Sequence, residues 1–152
     1  MTLLFAGIAA DIVDVGQQKL KIMEKLQKAS SSDYGIISFT IDEYKDLVLE
    51  NPRPYNVMTL FTVRTGCDGC DDVISEYKGV SYSFQQAETD TPTFFGVLYY
   101  TSDPKVREIF TTHNFKTVPY LATSKMQQKR EDTEFYKEED IWLVKVGDVA
   151  ET

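Results

Sequence analysis

Gly66-Cys67-Asp68-Gly69-Cys70 is the stretch that decides how this chain folds. It holds both cysteines of the sequence and follows closely on an apolar run at residues 55–63. Two thiols separated by two residues can close into a small disulfide ring and open again. Sited where a strand ends and a helix begins, they read as a thiol–disulfide exchange site. The second clue lies downstream in Thr117-Val118-Pro119-Tyr120, where a proline opens another apolar strand. The cysteine spacing alone also fits half a zinc site or two buried structural cysteines. His113 is the sole histidine, so with Cys67 and Cys70 it offers three ligands where structural zinc takes four. No metal and no cofactor are expected.

The length of 152 residues fits one domain, and 42% hydrophobic with 12% aromatic residues supplies a sizeable core. Such a core needs no disulfide to fold, which leaves the cysteines free for chemistry. A net charge of −8 argues against nucleic acid and against an anionic membrane surface. No stretch reaches the roughly 18 apolar residues of a membrane span, so no direct membrane insertion is expected of these residues. Residues 1–10 stand apart from a single domain at 11–152. Leu3-Leu4-Phe5-Ala6-Gly7-Ile8-Ala9-Ala10 resembles the tail of a signal peptide, without its basic start. It reads equally as a disordered N-terminus or the apolar first turn of a helix.

Residues 14–29 read as a helix with Val15, Ile22, Leu26 and Ala29 on one face. Ser30-Ser31-Ser32-Asp33 breaks it, and 35–39 is a short strand. Thr40 or Asp42 caps a helix reaching Leu49, which Pro52 stops. Residues 55–63 form a buried strand, and Cys70 opens a helix to about Tyr77. Val80, Tyr82 and Phe84 alternate, which leaves 78–93 ambiguous. Residues 94–100 form a second strong strand, and Pro104 opens a helix at its first position. A strand follows at 120–123, then a charged loop at 124–140 with a strand pair at Phe135-Tyr136. Residues 141–146 are a last strand or helix. Alternating strands and helices imply an α/β domain whose central sheet has parallel pairs and helices on both faces.

The thiolate is the attacking form of cysteine. Cys67 at a helix N-terminus would be favoured as thiolate by the helix dipole, with Cys70 more buried and acting as the resolving thiol. Asp68, Asp71 and Asp72 oppose that effect; with Glu76 they read as a solvated acidic face rather than a calcium loop. Arg64 is expected to point to solvent, and His113 to lie on a surface loop. Tyr82, Phe84, Phe94 and Phe95 are expected in the core. A cis Val118–Pro119 bond would aim the Val118 backbone at the cysteines and offer an edge to an extended peptide.

The site departs from the common thioredoxin motif, which carries Trp before the first cysteine and Gly-Pro between the two. Here Gly66 precedes Cys67, and Asp68-Gly69 lies between. The buried Asp that thioredoxin places in the preceding strand has no counterpart; its place falls at about Leu60. The chain instead resembles the lumenal domain of the thioredoxin-like subunit of eukaryotic oligosaccharyltransferase. The likeness runs through the first helix, Phe39-Thr40-Ile41-Asp42-Glu43-Tyr44-Lys45-Asp46-Leu47-Val48, and Pro52-Arg53-Pro54-Tyr55. It continues through the long loop before Cys67, Glu76-Tyr77, Tyr82-Ser83-Phe84 and the segment 110–119.

The resemblance implies a thioredoxin-like fold: a central mixed β-sheet flanked by helices, with an extra N-terminal helix. It implies a location in the endoplasmic reticulum lumen beside other oligosaccharyltransferase subunits. Cys67 would form transient mixed disulfides with cysteine-containing nascent polypeptides, and Cys70 would release them. The delay would hold acceptor asparagines near the transferase. A groove around the cysteines, edged by Gly66, Asp68, Gly69, Val118 and Pro119, would bind peptide noncovalently. Two other readings stay open: a general disulfide isomerase or reductase, and a noncatalytic peptide-binding module with a structural disulfide.

Overall fold

The strand that leads to the cysteines is the middle strand of the sheet. In the computed structural model, residues 3–87, 89–115, 117–127 and 141–143 are described. The chain runs α1 (Leu3–Ala29), a 3-10 turn (Ser31–Asp33), β1 (Ile37–Ser38), α2 (Ile41–Tyr44) and a π-helical turn (Lys45–Leu49). It continues through β2 (Asn56–Thr62), α3 (Cys70–Gln86), β3 (Thr93–Tyr99), α4 (Pro104–Thr112), β4 (Tyr120–Ser124) and β5 (Ile141–Leu143). The sheet order is β1-β3-β2-β4-β5. β1, β3 and β2 are mutually parallel, whereas β4 is antiparallel to both β2 and β5. The mixed α/β sheet and the added first helix are therefore as expected.

Side-chain alternation along β2 divides the core in two. Val57 and Phe61 face one way and pack with Met23 of α1, Tyr44 of α2 and Val106, Ile109 and Phe110 of α4. Leu60 faces the other way and packs with Val73 and Tyr77 of α3. The first face thus carries three helices, and α3 covers the second.

Local chemistry sets the element ends. Thr40, not Asp42, caps α2: its hydroxyl accepts from Glu43 N at 3.1 Å, while Glu43 Oε1 accepts from Thr40 N at 2.9 Å. Pro104 occupies the first turn of α4, and Asp103 Oδ1 accepts from Lys105 N at 2.9 Å.

Three expectations need correcting. α1 begins at Leu3 rather than Asp14, and its inward face is rotated: Met23 is fully buried while Ile22 is 47% exposed. The helix opened by Cys70 continues to Gln86, through the alternating residues Val80, Tyr82 and Phe84. Its inward residues are Cys70, Val73, Tyr77 and Ser81, at helical spacing. Tyr82 and Phe84 consequently lie outside the core, although Phe94 and Phe95 are within it. The pair Phe135-Tyr136 and most of the charged loop lie outside the described residues.

Candidate functional site

β2 ends at Thr62, and the loop from Val63 carries the chain to Cys67. Two glycines in the left-handed region turn it: Gly66 at φ 76° and Gly69 at φ 84°. Gly69 is the N-cap of α3, so the helix opens at Cys70. Cys67 stands three residues ahead of it, and the helix dipole acts most directly on Cys70 rather than on Cys67. Asp71 and Asp72, both exposed in the first turn, set negative charge at the positive end of the dipole and offset its pull on a nearby thiolate.

The two cysteines are joined as a disulfide with a Cα–Cα distance of 5.5 Å. Its two sulfurs differ in access. Cys67 is half-buried, whereas Cys70 is 4% exposed beneath the start of α3. Below Cys70 lies Thr62, 1% exposed, whose Oγ1 donates to Cys70 Sγ at 3.4 Å. By sequence, the place of thioredoxin's buried Asp falls at about Leu60. The residue in contact is Thr62, two positions further on the same face. The period of two along β2 was the signal that could have found it.

β4 brings the proline to the same end of the sheet. Its register sets Tyr120 opposite Phe61, so Pro119 comes level with Thr62 where β2 opens into the cysteine loop. The Val118–Pro119 bond is cis, Pro119 is buried, and Val118 packs partly against the main core. On the opposite side of β2 a cleft of about 440 Å³ opens at the carboxyl ends of β2 and β3. Here the chain leaves β2 for α3 on one face and β3 for α4 on the other. That is the switch point at which open α/β sheets bind ligands. Arg64, Thr65, Thr101, Ser102 and Arg107 line this cleft, with no carboxylate among its described lining residues. Arg64 is exposed as expected, but it is not free in solvent: its guanidinium lies 3.9 Å over the Tyr99 ring.

His113 is not a surface loop residue. It ends α4, is 8% exposed, and packs against Phe61 and Phe115 with its Nε2 3.3 Å from Tyr44 Oη. Burial lowers its pKa from 6.5 to about 4, so it is neutral at pH 7. Among the described residues no three His, Cys, Asp or Glu side chains converge to hold a metal ion.

Residues 24–152 match the OST3 / OST6 family, transporter family. The chain belongs to this family. Membership makes this OST3/OST6 protein an oligosaccharyltransferase-associated thioredoxin-like module, with a Cys-x-x-Cys disulfide at the end of its central strand. A solved structure similar to it is the thioredoxin from Trypanosoma brucei brucei, at 12% identity and a TM-score of 0.47. That match covers 66% of this chain and 78% of the thioredoxin. No curated protein matches the chain. No helix among the described residues of this OST3/OST6 chain is long and apolar enough to cross a membrane.

Proposed function

We propose that this OST3/OST6 domain is a thiol–disulfide oxidoreductase that retains nascent polypeptides for N-glycosylation in the endoplasmic reticulum lumen. A cysteine thiolate of the polypeptide attacks Cys67 Sγ, and a mixed disulfide forms. Cys70 later attacks Cys67 Sγ and releases the polypeptide. The gain is time beside the glycosyl-transferring subunit rather than net oxidation. Peptide also binds noncovalently, in a groove bounded by Gly66, Asp68 and Gly69 of the loop and by Val118 and Pro119 just ahead of β4.

The observation that carries this reading is the unequal access of the two sulfurs. An incoming thiolate must approach the disulfide in line, and only the half-buried Cys67 offers it a path. The buried Cys70 is held where it can close the ring again. The open cleft on the other side of β2, lined by none of these groove residues, adds accessible surface at the same end of the sheet.

The test uses Cys70→Ser. With the resolving sulfur gone, Cys67 should exchange with peptide disulfides and keep the peptide. Non-reducing mass spectrometry should find a stable adduct at Cys67, and none with Cys67→Ser. Absence of any adduct, together with a wild-type disulfide that resists mild reductant, would leave a structural disulfide and sink the proposal.

A further inference from the structure

We propose that the Thr62 hydroxyl is a catalytic group of the exchange, holding the sulfur that leaves when Cys67 is attacked. The inference rests on reading Cys67 as the attacked sulfur. It adds a residue that neither cysteine motif nor proline points to.

The step balances within the groups named. A substrate thiolate donates its electron pair to Cys67 Sγ. The Cys67–Cys70 bond breaks, the substrate–Cys67 bond forms, and Cys70 Sγ leaves as a thiolate with the bonding pair. In release, the Cys70 thiolate attacks Cys67 Sγ and expels the substrate thiolate. Capture and release together are redox-neutral and need no further oxidant.

The rate of capture therefore depends on how well the protein accepts negative charge on Cys70 Sγ, since a leaving thiol of lower pKa leaves faster. Cys70 is 4% exposed, so water cannot solvate its sulfur freely. Among the described residues, Thr62, a residue 1% exposed, provides the side-chain hydrogen bond to that sulfur, with its Oγ1 at 3.4 Å. A disulfide sulfur is a weak acceptor and a thiolate a strong one. The bond consequently strengthens as charge develops, which is the differential stabilisation that lowers a barrier. Two further influences act on the same sulfur. The N-terminus of α3 favours the thiolate, while exposed Asp71 and Asp72 in the first helical turn oppose it. Thr62 is the contribution that a single isosteric substitution removes without touching charge.

The experiment compares wild type with Thr62→Val and Thr62→Ser. One readout is the rate at which excess dithiothreitol opens the disulfide. The other is the Cys70 thiolate titration, followed by ultraviolet absorbance in the Cys67→Ser background. Loss of the hydroxyl should slow opening by about tenfold and raise the Cys70 pKa by roughly one unit. Thr62→Ser should restore both. If Thr62→Val fails to fold, Thr62→Ala against Thr62→Ser carries the comparison. Rates and titrations that do not depend on the hydroxyl would overturn the inference while leaving the exchange reading intact. A wild-type disulfide inert to dithiothreitol would overturn the exchange reading itself.

Discussion

Gly96 shows how tightly single positions are held in this sheet. It lies in the middle of β3, level with Ile37 on one side and Thr59 on the other. A Cβ placed there would stand 2.1 Å from Phe39 Cε2, on a ring that is itself buried. Phe39 has no free space to retreat into, because its ring packs against Tyr44. Gly96→Ala is therefore expected to cost about 1–3 kcal/mol, read as a lower urea midpoint with an unchanged slope. Thr62 belongs to the same scale: one hydroxyl under one sulfur, with no sequence motif to announce it. Arg53 is a third case. It reads as part of a proline-rich helix stop, yet it is 3% exposed, and its guanidinium donates to the carbonyls of Val48 and Lys125. Backbone carbonyls are everywhere in a chain, so such a tie between distant segments leaves no mark in sequence.

Elements were legible wherever a local signal set their limits. Thr40 and Glu43 bracket the start of α2 by reciprocal hydrogen bonds, and Pro104 marks the start of α4. Thr40→Ala removes one side of that capping box. It should destabilise the domain by roughly 1 kcal/mol in chemical denaturation, with Thr40→Ser near wild type. The length of α3 was not legible, and the reason is physical. Beyond Tyr77 the buried residue of its inner face is the polar Ser81, and the exposed Gln85 follows one turn on. They are held there by Tyr34 O, which accepts from Ser81 Oγ at 3.0 Å and from Gln85 Nε2 at 2.7 Å. Apolar periodicity registers none of this, while exposed Tyr82 and Phe84 mimic a strand. In α1 the misleading residue was Ile22, which is apolar but outward, whereas Met23 fills the core. The cysteine loop, the cis proline and the succession of helices and strands along the chain were readable, because each rests on residues of restricted chemistry; the order of strands within the sheet was not.

The whole domain should respond to acid through His113. In the fold this imidazole is neutral, with its pKa lowered by burial to about 4, against 6.5 in the unfolded chain. Below pH 6.5 the unfolded chain binds the extra proton first. The stability is fully present above that value and is lost as pH falls toward 4, up to roughly 3 kcal/mol. Urea unfolding at stepped pH should show this loss, and His113→Gln should flatten it. Function at this scale depends on where β2 sits. It pairs along seven residues with β3 and along five with β4, and its end leads into the loop that carries Cys67. On the proposed function, a polypeptide bound at Cys67 would tug on the domain as synthesis and translocation move it. Because the tugged strand is central rather than at an edge, the load falls in shear on two ladders at once. A tether at Cys67 would thus pull on a strand gripped from both sides rather than on an edge strand that can be peeled away pair by pair.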